Sequence, residues 1–75
     1  MIFVYGKPNC SYCEQAKQLL EAKGIKYDYI DVYEDDDALA FLMDNGFKTV
    51  PQCYDDSIHI GGFAQLDHYI KHIRK

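Results

Sequence analysis

Residues 2–25 read IFVYGKPNCSYCEQAKQLLEAKGI, and the reading of that stretch decides the fold. Ile2 to Tyr5 is a short β-branched and aromatic run ended by Gly6 and Pro8, the pattern of a buried first strand with almost no polar face. From Cys13 onward Ala16, Leu19 and Leu20 recur at helical spacing, while Glu14, Gln15, Lys17, Gln18 and Glu21 fall on the other faces. Gly24 after Lys23 reads as a C-terminal cap, with Ile25 placed to pack back on the last turn. Strand, loop and helix follow one another, and Cys10-Ser11-Tyr12-Cys13 lies where the loop runs into the helix.

Outward from there, Tyr27 to Tyr33 (YDYIDVY) is rich in strand-forming residues. The acidic run Glu34 to Asp37 leads straight into ALAFLMDNG and suits a helix N-terminus, where the macrodipole favours negative charge. Asn45 and Gly46 end that helix. Pro51 to Tyr54 and Ser57 to Ile60 read as two short strands joined by a turn at Asp55 and Asp56. After Gly61 and Gly62, the residues Phe63, Leu66, Ile70 and Ile73 mark the buried face of a last helix. Lys71, His72, Arg74 and Lys75 at its end complement the C-terminal dipole. The order is β, α, β, α, β, β, α. A helix between the first two strands makes them a right-handed parallel unit, and the hairpin supplies antiparallel edge strands. A mixed sheet with helices on both faces is expected, of class α/β.

Seventy-five residues is about half of the roughly 150 expected per domain, so residues 1–75 read as one domain. A chain this short buries only about 60% of its unfolded surface, which makes the core thin and any site shallow. Twelve acidic against eight basic side chains leave a formal charge of -4, without the one-sided basic surface of a nucleic-acid binder. The apolar stretches fall well short of the 18 or so residues of a spanning helix, and MIFVYGK lacks the basic flank of a secretion signal. No nucleic acid and no membrane are expected as partners, and the cytoplasm is the expected location.

Three cysteines, two of them in Cys-x-x-Cys, do not look like a secreted disulfide framework. In a reducing cytosol such a pair is redox-active or binds metal. Unpaired amides at a helix N-terminus stabilise an anion, which lowers a thiol there from about 8.5 toward roughly 3.5 to 7.5. Cys10 is therefore the expected nucleophile, with Lys7 in the same loop adding positive charge. Cys13, one turn further in, falls within the roughly 4.4 to 6.8 Å Cα separation that a disulfide accepts and is the expected resolving thiol. Zinc usually takes four ligands, and Cys53, His59, His68 and His72 show none of the paired spacing of zinc motifs, so no metal is expected. Cys53 reads as a small core residue, and the histidines as ordinary surface residues.

The Cys10 to Cys13 pair, Thr49-Val50-Pro51 and Gly61-Gly62 before the last helix, in that order and spacing, resemble the glutaredoxin family over essentially the whole chain. The length is most similar to the short dithiol glutaredoxins of bacteria and their viruses. The resemblance implies a thioredoxin-like fold with a four-stranded sheet and thiol-disulfide exchange, with glutathione as co-substrate. It implies a monomer acting on disulfide-containing proteins, ribonucleotide reductase among them. It makes Pro51 the family's cis proline, whose isomer turns the Val50 backbone toward the thiol, where a peptide or glutathione can add as a strand. Gly62, Phe63 and Ala64 resemble the segment that offers amides to a glutathione carboxylate. Tyr12 matches the aromatic that flanks the bound sulfur. Lys7, Tyr12, Thr49, Val50, Pro51, Gly62, Phe63 and Ala64 are thus the expected glutathione-binding residues. There are two departures from the family pattern. Ser11 stands where proline usually follows the first cysteine, and Ala64 and Gln65 stand where acidic or hydroxyl side chains are common. The alternative is a glutaredoxin-like donor recharged by a thioredoxin reductase. A module holding a metal, or an iron-sulfur cluster shared between two chains, is a further variant.

Overall fold

In the computed structural model, which describes residues 1–73, β1 (Ile2–Gly6) is an inner strand. Its parallel neighbour is β2 (Tyr27–Asp31), reached through α1 (Ser11–Ala22). On its other side lies the antiparallel β3 (Gln52–Asp55), paired from Ile2 opposite Asp55 to Tyr5 opposite Gln52. β4 (Ile58–Gly61) completes the order β2-β1-β3-β4. With α2 (Asp36–Asp44) before the hairpin and α3 (Phe63–His72) after it, the element order is βαβαββα, as the sequence implies. One detail differs: β3 is an inner strand, so of the hairpin only β4 lies at an edge.

Alternation along the strands divides the apolar residues between the two faces. Ile2 and Val4 pack with Ala16 and Leu20 of α1, Leu66 and Ile70 of α3, and Cys53 of β3. Tyr5 and Ile30 point the other way, where Val32, Phe47 and Val50 meet Ala38 and Leu42 of α2. Helices thus cover both faces, two on one and one on the other.

The helix ends follow from local chemistry. Gly24, at φ 65°, donates to the Glu21 carbonyl at 3.1 Å, and Ile25 donates to the Leu20 carbonyl at 2.9 Å. These are the paired bonds of a Schellman cap. Gly46 and Phe47 repeat them on Met43 and Leu42. At the start of α2, Asp35 Oδ1 accepts from the Ala38 amide at 3.0 Å, satisfying one of the donors a helix start leaves open.

Three further expectations need correction. β2 stops at Asp31 rather than Tyr33, because Asp31 Oδ1 accepts the Tyr33 amide at 2.8 Å while its carbonyl takes the amides of Glu34 and Asp35. These local bonds win over the strand propensity of Val32 and Tyr33. The hairpin turn falls one residue later than expected, with Asp55 still in β3 and Asp56 at φ 51°. Ile73 lies beyond the end of α3 and is 64% exposed, so it adds nothing to the buried face. Lys71 and His72 do occupy the last turn of α3, while Arg74 and Lys75 lie outside the described residues.

Cys53 is fully buried, and burial pushes its thiol up to about 12. A proton held this tightly in the folded state contributes stability that is complete below an ordinary thiol's range and is lost as pH rises toward 12. The denaturant midpoint of the unmodified protein should therefore fall relative to that of Cys53→Ala between about pH 9 and 11. In the oxidised protein at pH 8, a thiol reagent should find no reactive sulfur until denaturant is added, and then one.

Candidate functional site

The loop between β1 and α1 turns at Asn9, whose φ of 57° lies in the left-handed region that asparagine tolerates better than most residues. That turn delivers Cys10 to the N-cap of α1 in an extended conformation, the place usually taken by a serine, threonine or aspartate. Cys10 Sγ accepts the Cys13 amide at 3.1 Å. The cap is thus a cysteine sulfur, and it sits against the positive end of the helix. Cys10 and Cys13 are joined in a disulfide with a Cα separation of 5.2 Å. The two sulfurs differ in access: Cys13 is fully buried, while Cys10 is only partly so.

The Val50–Pro51 bond is cis, and the Val50 carbonyl oxygen lies 3.8 Å from Cys10 Sγ. Beside it opens a cleft of about 400 Å³ lined by Tyr12, Thr49, Val50, Pro51, Gly62, Phe63 and Ala64. Seven of the eight residues expected to meet glutathione therefore share one depression, although they come from three separate parts of the chain. The rings of Tyr12 and Phe63 stack across it with centroids 6.2 Å apart. Gly62 is the N-cap of α3, and its amide donates to Gln65 Oε1 at 3.0 Å. The next amides, of Phe63 and Ala64, belong to the first turn, where a helix offers no internal acceptor. Lys7 is placed elsewhere. It lines a neighbouring groove of about 340 Å³ beneath α2, which shares Thr49 and Val50 with the cleft.

Two residues that sequence reasoning passed over hold the 49–51 segment. Gln52 is buried, and its Nε2 donates to the Thr49 carbonyl at 2.9 Å. Its Oε1 lies 2.8 Å from His59 Nε2; since that oxygen can only accept, the histidine carries its proton on Nε2. The His59 ring stacks on Phe47 at 4.6 Å and lies 5.0 Å from Tyr54. His59 is exposed, as expected, and from the surface it braces the loop through Gln52. The only sequence signal was a polar residue directly after the Thr-Val-Pro run, at a strand start. Among the described residues, no group of three or more histidine, cysteine, aspartate or glutamate side chains is placed to hold a metal ion, and no helix is long and apolar enough to cross a membrane.

Comparison with known proteins places the arrangement. The family model for glutaredoxin matches residues 2–60. Glutaredoxin 1 of Rickettsia typhi is 39% identical over 68 residues, covering 87% of this chain and 65% of that protein. The hybrid peroxiredoxin hyPrx5 of Haemophilus influenzae is 37% identical, with 91% of this chain matched to 28% of that protein. The chain therefore spans under two thirds of the length of either relative. A buckwheat glutaredoxin solved as a complex with glutathione superposes with a TM-score of 0.80 at 27% identity, over 97% of this chain and 70% of that one.

Proposed function

The chain belongs to the glutaredoxin family, and we propose that it is a thiol-disulfide oxidoreductase in which Cys10 attacks and Cys13 resolves. The observation that carries this reading is the asymmetry of the pair. One sulfur caps α1 and is accessible beside a cleft, while the other is fully buried. The Cys10 thiolate attacks one sulfur of a substrate disulfide, forming a mixed disulfide and expelling the other sulfur as a thiolate, which takes a proton from water. The Cys13 thiolate then attacks Cys10 Sγ, closes the internal disulfide and releases the second substrate thiol. Two electrons have moved from the pair to the substrate.

Glutathione is the proposed reductant. One glutathione thiolate opens the internal disulfide at Cys10 and frees Cys13. A second attacks the Cys10 adduct, leaving with oxidised glutathione and restoring the dithiol. The cleft supports this assignment because it offers main-chain groups: the Val50 carbonyl for strand-like pairing, and the Phe63 and Ala64 amides for a carboxylate. Tyr12 flanks the bound sulfur, Thr49 and Pro51 shape the wall, Gly62 lets the backbone come close, and Lys7, from the neighbouring groove that shares Thr49 and Val50 with the cleft, supplies a cation for the second carboxylate. Disulfide-containing proteins of the cytoplasm, ribonucleotide reductase among them, are the proposed targets of a monomeric enzyme. Two coupled assays on the unmodified protein test the reductant, one with glutathione and its reductase, one with thioredoxin reductase. Turnover only in the second replaces glutathione by the reductase as electron source.

The glutathione ammonium has no carboxylate at Ala64 or Gln65 to meet. An exposed charge pair is worth about 0.2 to 1 kcal/mol. Ala64→Asp should therefore lower the apparent glutathione KM by a few-fold at most and leave the alkylation rate of Cys10 unchanged.

A further inference from the structure

We propose that an aromatic pocket at the end of the sheet remote from Cys10 seats an arginine side chain presented by a basic segment of a partner protein. The pocket lies between α2 and the β3–β4 turn. It shares no lining residue with the cleft or with the groove that holds Lys7, and its binding is independent of the exchange chemistry.

Strand alternation builds the pocket. Phe3 and Tyr5 project from β1 to the face opposite Ile2 and Val4, with Ile30 of β2 and Tyr54 of β3 beside them. Phe41 reaches them from α2. Its ring stacks on Tyr5 with centroids 5.4 Å apart and lies 5.6 Å from Tyr54, which meets Tyr5 edge-on at 5.8 Å. These rings border an open depression of about 380 Å³, and Phe41 is 37% exposed. Four of the lining side chains are aromatic and only Ile30 is aliphatic. A ring presents a negative face to a cation, an attraction that an aliphatic wall lacks.

The rim carries the complementary charge. Asp56 lines the pocket, where its Oδ1 also accepts from the Met1 ammonium at 3.0 Å. Asp28 is exposed beside Phe3, its neighbour in the β1–β2 register. Asp37 and Asp44 stand four residues before and three after Phe41, on its side of α2. No basic side chain lines the pocket, and Asp28, Asp37 and Asp44 join no ion pair among the described residues. A guanidinium suits this arrangement better than an ammonium, because it is planar, stacks on rings and keeps its donors free for carboxylates at its edge. The acids are spread around the pocket, so a segment with several basic residues meets more of them than an isolated cation does. A symmetric contact between two copies of this chain would set one acidic face against another, which makes a second copy the less suited occupant. Phe3 stands about 10 Å below Gly6 along β1, at roughly 3.3 Å per residue. Cys10 lies beyond Gly6, so a partner held here leaves the cleft open.

The test titrates isotope-labelled protein, oxidised so that no exchange intervenes, and follows its amide resonances. The probes are short Gly-Ser peptides with a central Arg-Arg pair, the same peptides with Lys, citrulline or Leu in its place, and N-acetylarginine amide as a small cation. The Arg peptide should shift the amides of Phe3, Tyr5, Phe41 and Tyr54. It should bind about ten-fold more tightly than the citrulline and Leu peptides, with the Lys peptide between. Phe41→Leu keeps apolar bulk but removes a ring, and should weaken the Arg peptide by about 2- to 30-fold while leaving the Leu peptide unchanged. Asp28→Asn, at an exposed position, should weaken the Arg peptide by up to about five-fold and leave the citrulline peptide unchanged. Circular dichroism checks folding, and should Phe41→Leu fail to fold, Asp28→Asn and the citrulline peptide decide. Arg and Leu peptides bound equally overturn the proposal, as do affinities indifferent to both substitutions, shifts gathered around the cleft, or no shifts at all. A Lys peptide bound as tightly as the Arg peptide overturns the assignment of arginine. N-acetylarginine amide bound as tightly as the peptide overturns the partner segment and leaves a small-cation site in its place.

Discussion

Cys10→Ser should reduce thiol exchange with every substrate to background, whereas Cys13→Ser should keep exchange with glutathione mixed disulfides and lose reduction of protein disulfides. Only Cys10 combines access with the position at the helix cap, where the Cys13 amide at 3.1 Å and the helix terminus favour the thiolate. A serine hydroxyl in that place accepts the same amide bond, so α1 stays capped and the variant stays folded. Exchange on a glutathione adduct needs one protein sulfur, because a second glutathione clears the Cys10 adduct. A protein disulfide leaves a bulky adduct that a neighbouring thiol must displace from within. Iodoacetamide alkylation of the reduced protein, followed by mass spectrometry across pH, checks the order of reactivity. Labelling of Cys13 before Cys10 would reverse the assignment.

Leu66→Ala should have the largest effect on stability. Leu66 is fully buried in the layer where α1 and α3 meet the sheet, against a cluster that includes Ile2, Val4 and Leu20. Removing such a side chain costs about 2 to 5 kcal/mol. At roughly 0.05 to 0.15 kcal/mol per residue, a chain of this length has only about 4 to 11 kcal/mol in all. The thermal midpoint should drop by about 10 to 40 °C, given roughly 4 to 8 °C per kcal/mol in domains of this size. Ile73→Ala, by contrast, removes an exposed side chain beyond α3 and should stay within about 0.5 kcal/mol of the parent. Scanning calorimetry on both variants separates the two sites. A similar loss at each would mean that α3 buries its C-terminal residue after all.

That contrast shows where the sequence was legible and where it was not. Signals carried by a few adjacent residues read correctly. Gly24 and Gly46 close their helices by the bonds their position predicts, and the acidic run places Asp35 at the start of α2. The Cys10 to Cys13 spacing was equally local. Periodicity placed Leu66 and Ile70 in the core but carried one step too far to Ile73, because it does not register where a helix stops. β3 as an inner strand depends on pairing with β1 across some 50 residues, which no hairpin pattern reveals. The contact of Gln52 with His59 depends likewise on the register of β3 with β4, including the irregularity between Cys53 and Tyr54. Lys7 sits near Cys10 in the chain, yet the fold directs it to the groove rather than the cleft.

The wall formed by Thr49 and Val50 has one depression on each side, which makes the surface suited to fragment linking. Two weak ligands, one seated in each depression, would be separated by the width of a single backbone segment. A short rigid tether across it would make the second binding event intramolecular and raise affinity by about 10²- to 10⁴-fold without any new contact. A mismatch in tether length would forfeit the whole gain, so the spacing of the two depressions becomes a ruler for inhibitor design.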